Sequence, residues 1–324
     1  MAQKKVKKEI EWSKLGFGFS DVNCHIRYTW KNGKWSKPQF VKDPYITMHI
    51  GASCLHYGQE CFEGIKCFRQ KSGKIAIFRP EENAKRMFRT AQRTCMPPVP
   101  VDMFLDCCKA IVKKNAEFVP PYGTGGSMYL RPLLIGTGPQ IGVAPASEYT
   151  FMIMVMPVGA YYKGGIKPVR AVIYDEYDRA APQGMGDVKV GGNYAAGIFA
   201  HEKAKRNGWP VELYLDAKTH KYVEEFATSN FAAISKSGAY VTPDSCSVLP
   251  SVTNMSPFQA LSRLVNWSAP APVFKKAPCG YSCPSQLMSA MRIGITKSAR
   301  SSPVMSSTAI STGFVGSIIH FCLE

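Results

Sequence analysis

Lys189 lies in the stretch "VKVGGNYAAG", where valines and a glycine pair stand in place of the polar neighbours that a solvated lysine usually keeps. Such surroundings point to a backbone packed closely against something bulky. A lysine amine becomes chemically useful when desolvation or a nearby cation lowers its pKa, because the neutral amine can then attack a carbonyl carbon. Tyr194, five residues on, is the nearest aromatic hydroxyl in the chain.

The elements that must position this segment follow from pattern. From Trp30 to His56, short apolar pieces alternate with polar turns, including the turn signal at Asn32-Gly33, as in a sheet. A Ser72-Gly73 turn leads into an alternating strand over 75–78. Pro80 with Glu81 and Glu82 then opens the helix "EENAKRMFRTAQRT", with Met87, Phe88 and Ala91 toward a core and Arg86 and Arg89 on other faces or a shared edge. Residues 101–118 form a second predicted helix, ended by Pro120-Pro121, and "SMYLRPLLIG" and "EYTFMIMVMPVG" are apolar runs of strand length. This portion lacks the regular alternation of a doubly wound sheet. The glycine- and proline-bearing "GAYYKGGIKPVR" is the best linker. Beyond it come a strand, a polar loop, Lys189, a helix "YAAGIFAHEKAKRNG" stopped at Asn207-Gly208, and three strands in "VELYLD", "YVEEFATSNFAAIS" and "AYVTP".

Composition narrows the class. At 324 residues and 45% hydrophobic content the chain is long enough for two globular domains. Its longest apolar run, from Phe151, is too short to span a bilayer and contains a proline, so no membrane partner is expected. The N-terminus is basic without the apolar core of a secretory signal, which argues for a cytoplasmic protein. Eleven irregularly spaced cysteines without a CxxC pair imply reduced thiols and no metal site. The net charge of +17 raises nucleic-acid binding. The basic residues are spread along the chain without a recognised nucleic-acid motif, so no nucleic acid is expected either.

A lysine nucleophile, a carboxylate and an anion site together would serve pyridoxal 5'-phosphate. Six ordered motifs carry a matching resemblance over residues 12 to 256: "LHYGQECFEGIKCFR", "FRPEENAKRMFRTAQR", "SMYLRPLLIGTGPQIGVAPASEYTF", "KVGGNYAAG", "EEFATSNFAAI" and "VLPSVTNMS". The chain resembles the branched-chain amino acid aminotransferases. The resemblance implies an α+β, two-domain pyridoxal phosphate enzyme of fold type IV, like D-amino acid aminotransferase, acting as a homodimer on small-molecule amino acids and 2-oxo acids. Its domains would be a smaller one over 1–162, a linker over 163–176 and a larger cofactor-binding one over 177–256.

By the same resemblance, Lys189 forms the Schiff base with the cofactor and carries protons at the substrate, and Tyr194 stands beside the cofactor's phenolic oxygen. Glu225 matches the carboxylate at the pyridine nitrogen; its neighbour Glu224, on the opposite face of an alternating strand, is the alternative for that role, and the register from Asn230 favours Glu225. Arg86 matches the phosphate-binding arginine, a bidentate contact, with Arg89 at the surface. Val252 and Thr253 match backbone amides at the phosphate, ahead of a helix start. Tyr57, Phe62, Tyr129, Arg131 and Thr228 match substrate-side positions. The implied reaction moves the amino group of leucine, isoleucine or valine to 2-oxoglutarate. Within the fold the alternatives are a D-amino acid aminotransferase or aminodeoxychorismate lyase; outside it, a noncatalytic remnant or a basic binding module.

After Ser256 the sequence departs from the family's pattern. Residues 257–324 contain no acidic residue before Glu324, and "PCG" at 278–280 is followed by Tyr281 where the family's loop has a threonine. The expectation is that this tail stems from a shifted reading frame and leaves the larger domain incomplete, against the alternative of a divergent but functional C-terminus.

Overall fold

The computed structural model describes residues 10–160, 168–234, 240–254, 295–298, 301–305, 309–311 and 319–322. The first part is built on β1 (His25–Lys31), β2 (Lys34–Trp35), β3 (Gln39–Val41), α1 (Ser53–Tyr57), β4 (Glu60–Phe62), β5 (Ile65–Arg69) and β6 (Ile75–Ile77). It continues through α2 (Pro80–Arg93), α3 (Val101–Lys114), β7 (Ser127–Gly136) and β8 (Glu148–Val158). The sheet runs β2-β1-β8-β7-β5-β6, with β3 on β1 and β4 on β7.

The apolar runs find their reason here. β7 and β8 pair antiparallel from Ser127 opposite Val158 to Gly136 opposite Tyr149, and β1 flanks β8 on its other side. A central strand has no solvent edge, and β8 is buried at nearly every position. α3 covers the sheet with Phe104, Cys107, Cys108, Ile111 and Val112, a helical spacing that makes one apolar stripe. The Phe104 and Phe151 rings stack at 6.1 Å. The helix predicted over 101–118 ends at Asn115, whose side-chain amide donates to the carbonyls of Cys24 and Ile111; a short 3-10 turn, Ala116–Phe118, follows.

α2 has two jobs. Ala84, Met87 and Ala91 enter the core, while Asn83, Arg86 and Thr90 are also buried, on the edge that faces Lys189. Pro80 at its first position and two acidic residues in its first turn suit a helix start.

β4 and β5 pair with successive parts of β7, and Glu63-Gly64 interrupts the run between them. Gly64 is needed there, because a Cβ would run into the Tyr129 hydroxyl.

The second part holds β9 (Pro168–Val169), β10 (Ala171–Ile173), α4 (Gly191–Arg206), β11 (Val211–Leu215), β12 (Val223–Phe226), β13 (Phe231–Ile234) and β14 (Tyr240–Val241). Four strands come from the tail: β15 (Ile295–Ser298), β16 (Ser301–Met305), β17 (Ala309–Ser311) and β18 (Ile319–Cys322). They complete two five-stranded sheets, β12-β11-β10-β16-β15 and β14-β13-β18-β17-β9. Within these sheets β16 lies beside β10 and β18 beside β13. The loop with Cys279 and Tyr281 lies outside the described residues.

α4 crosses between the parallel pair β10 and β11 and seats Ala200 and Ala204 among Val172, Tyr174 and Tyr214. The strand expected across "YVEEFATSNFAAIS" is in fact β12 and β13, separated by a turn closed by the Phe226 N–H on the Ser229 carbonyl at 2.9 Å.

Phe151 is fully buried where Tyr28, Trp35 and Phe104 meet. Phe151→Ala is expected to cost about 3–5 kcal/mol, read as a lower urea midpoint in circular dichroism.

Candidate active site

Lys189 immediately precedes α4, which starts at Gly191, three residues before the predicted helix. Tyr194 therefore stands in the helix's first turn, and helical side chains lean toward the N-terminus. Its hydroxyl accepts a hydrogen bond from Lys189 Nζ at 2.5 Å. The Phe62 ring closes the other side, 4.7 Å from Nζ and 5.0 Å from the Tyr194 ring. Arg131 stacks over Phe62 at 4.7 Å and donates to the Tyr129 hydroxyl at 3.1 and 3.3 Å. Lys189, Tyr194, Phe62, Tyr129 and Arg131 are thus one contiguous group.

The backbone around the lysine is held from two elements. The Lys189 N–H donates to Thr90 Oγ1 on α2 at 3.3 Å, and its carbonyl accepts from the Phe62 N–H on β4 at 3.1 Å. The Asn193 amide ties down the carbonyls of Met185 and Val188 at 2.6 and 3.0 Å.

Arg86 reaches the same interior, but its donors are partly engaged. Nε and Nη2 form a bidentate pair with Glu63 at 2.7 and 2.8 Å, and Nη1 donates to the Pro250 carbonyl at 2.8 Å. One further N–H remains on each terminal nitrogen. Arg86 is thereby joined to the turn over 252–254, where Val252 is buried and Thr253 follows it. The helix start expected after that turn lies outside the described residues. Arg89 is exposed.

Glu225 is buried beside a second arginine, Arg179, with Nε 2.8 Å from Oε1 in an off-axis ion contact. Asn230 donates to Glu225 at 2.9 Å and to the Leu249 carbonyl at 2.7 Å, so the segment 249–250 bridges Glu225 and Arg86. Glu224 is buried as well, accepting from the Ser245 hydroxyl at 2.9 Å.

Tyr57 lies apart from this group: its ring packs on His56 and its hydroxyl donates to the Ile141 carbonyl. Thr228 is exposed in the turn between β12 and β13. Glu63, Thr90 and Arg179 escape a reading of the sequence, since each acts on a partner far along the chain. A carboxylate inside "FEG", next to a glycine that cannot carry a Cβ, is the available signal for Glu63.

Electrostatics separates the groups. Burial, reinforced by the charge of Arg86, lowers the Lys189 pKa to about 8. Burial raises Tyr194 to about 12, and raises Glu225 to about 7 against the pull of Arg179. Burial works against the Glu63 charge too, yet the paired Arg86 outweighs it and holds that carboxyl below its ordinary value.

These residues fit pyridoxal 5'-phosphate. An amine of lowered pKa, a buried carboxylate, and a guanidinium with spare N–H groups beside a backbone turn match its aldehyde, ring nitrogen and phosphate. Ser229 Oγ and Asn254 Oδ1, at the ends of the two segments flanking Glu225 and Arg86, are buried without hydrogen-bond partners among the described residues.

A sequence model of the amino-transferase class IV family matches residues 60–269. The chain belongs to the class IV aminotransferases. A branched-chain-amino-acid aminotransferase of Haemophilus influenzae is 47% identical over 254 residues, covering 77% of this chain and 74% of that one. One of Helicobacter pylori is 45% identical over 250 residues, with the same coverage of 77% and 74%. Among solved structures, a T.th. branched-chain amino acid aminotransferase with pyridoxamine 5'-phosphate superposes with a TM-score of 0.65. It is 20% identical over 92% of this chain and 86% of that one, a likeness of fold.

Lysine labelling of the cofactor-free class IV aminotransferase should show Lys189 titrating with a midpoint about 8. Between there and roughly 10.4 the unfolded chain holds a proton that the folded one lacks. Stability should therefore rise with pH across that window, and Lys189→Met should flatten the rise. Glu225 works the other way: from roughly 4.3 up to about 7 the folded state holds the extra proton. Stability falls as pH climbs through that range, and Glu225→Gln should remove the fall.

Proposed function

We infer that the protein is a pyridoxal 5'-phosphate-dependent transaminase moving the amino group of leucine, isoleucine or valine to 2-oxoglutarate. The similarity to branched-chain aminotransferases at 45–47% identity, over 77% of the chain, carries this reading. No helix among the described residues is long and apolar enough to cross a membrane; we place the protein in the cytoplasm.

When bound, pyridoxal 5'-phosphate supplies a ring that accepts the electrons left as a substrate's α-proton departs. The chain's residues do the rest. Lys189 Nζ would be the group that holds the cofactor by its aldehyde carbon, and as a free amine it would take the proton from the substrate's α-carbon and return it, as general base and then acid. A pKa close to neutrality suits both tasks. Tyr194 Oη holds Lys189 Nζ by its hydrogen bond and would stand beside the phenolic oxygen. Glu225 would keep the ring nitrogen protonated, and a cation there would favour the carboxylate over its acid form. Arg86 and the amides of Val252 and Thr253 would hold the phosphate.

Phe62 and Tyr129 form walls that accept an aliphatic side chain and exclude water, with Arg131 and Thr228 at the carboxylate. Tyr57 completes the wall across a homodimer contact. It lies in an exposed apolar patch with Leu55, Ile50, Ile141 and Val143, the last two 66% and 88% exposed, and such a patch marks an interaction surface. We keep the domain boundaries at 162 and 177; the family match runs to residue 269, and the tail beyond it, within the 257–324 that departs from the family's motifs, we assign to a shifted reading frame. The coding DNA tests that: family motifs restored in another frame support it, and their absence overturns it.

With leucine and 2-oxoglutarate the holoenzyme should form glutamate and a branched 2-oxo acid, and Lys189→Ala should lose at least about a hundredfold in rate. Transfer from D-alanine without transfer from leucine would favour a D-amino acid enzyme instead. Sedimentation should give twice the chain mass, and Ile141→Asp should shift it to the monomer.

A further inference from the structure

Glu60 lies two residues before Phe62 on β4, so both address the same neighbour by strand alternation. The Phe62 N–H donates to the Lys189 carbonyl at 3.1 Å. The Glu60 carboxylate accepts the N–H of Gly191, the first residue of α4. One short strand therefore grips the peptide groups on the C-terminal side of Lys189, while Thr90 of α2 holds the N–H on the other. A Cβ on Gly191 would meet Glu60 Oε1, so a side chain there would displace the carboxylate from its place on the amide. Among the described residues no ion pair neutralises Glu60. Burial raises its pKa, with the Gly191 N–H and the charge of Arg131 opposing. A partly buried carboxylate is costly to keep unless its hydrogen bond does something.

We propose that Glu60 is a positioning residue for the reaction: its carboxylate clamps the Gly191 amide and so fixes the backbone from which the Lys189 amine projects. This rests on reading Lys189 as the reactive amine. A catalytic amine displaced by about an ångström can lose on the order of a hundredfold in rate, whereas substrate affinity would depend on Phe62, Tyr129 and Arg131, and Arg131 is held by hydrogen bonds to the Tyr129 hydroxyl and feels Glu60 only through its charge.

The test compares the holoenzyme with E60A, E60Q and E60D by steady-state kinetics and by hydrogen exchange at the Gly191 amide. Loss of a charge-assisted hydrogen bond in E60A should lower kcat roughly ten- to a hundredfold with the leucine KM little changed, and Gly191 should exchange more than about tenfold faster. E60Q keeps an acceptor oxygen in place and should recover most of both. E60D keeps the charge but shortens the reach, and should resemble E60A; if E60A does not fold, the contrast between E60D and E60Q carries the test.

A normal kcat with faster exchange would make Glu60 a helix cap of structural value and overturn the proposal. A lowered kcat with unchanged exchange would mean that Glu60 acts elsewhere, and also overturn it. If the unsubstituted holoenzyme transfers no amino group, the reading of Lys189 fails and takes this inference with it. If it does and E60A matches it, the inference about Glu60 fails by itself.

Discussion

The burial of one ammonium group governs this structure. Taking the Lys189 amine out of water disfavours its charged form, and the nearby charge of Arg86 adds to that. The carboxylates that could have cancelled the effect are committed elsewhere. Glu63 is paired with Arg86 at both oxygens and Glu225 with Arg179. Both of these carboxylates have their own arginine, and the lysine keeps a tyrosine hydroxyl and two aromatic faces. That allocation, more than any single residue, leaves the amine's pKa lowered to about 8.

The fold serves this allocation by bringing together pieces remote in sequence. β4 delivers Phe62 to the lysine backbone, and the interruption after it turns Glu63 toward Arg86. α2 turns one face to the core and the other, with Arg86 and Thr90, to the site. β12 presents Glu225 to Arg179, while Asn230 and the 249–250 segment carry the link across to Arg86. A buried pair broken at one member typically costs about 3–5 kcal/mol, a large share of a domain's stability of roughly 5–15 kcal/mol. The site's electrostatics and the packing of the two parts therefore stand or fall together.

Local pattern makes much of this legible. Lys189 stands out because its neighbours suit no solvated lysine, and the α2 and α3 stripes and the runs of β7 and β8 follow from periodicity. Long-range partners do not show. Glu63, Arg179 and Thr90 look like ordinary polar residues until the chain brings Arg86, Glu225 and Lys189 beside them. Sequence pattern places the start of α4 late because glycines are poor helix formers, and the carboxylate that caps them comes from Glu60, 131 residues earlier. Asn115 ends α3 early through bonds to Cys24, another distant partner. The closeness of Arg86 to Glu63 also changes how it can meet an anion, since its side edge is taken and its terminal nitrogens remain.

The central claim, that Lys189 is the reactive amine of an aminotransferase site, is tested most directly by adding pyridoxal 5'-phosphate, reducing with borohydride and mapping the labelled peptide. Stoichiometric label is expected on Lys189, in the peptide that carries Tyr194. Label on surface lysines alone, or none on soluble folded protein, would contradict it.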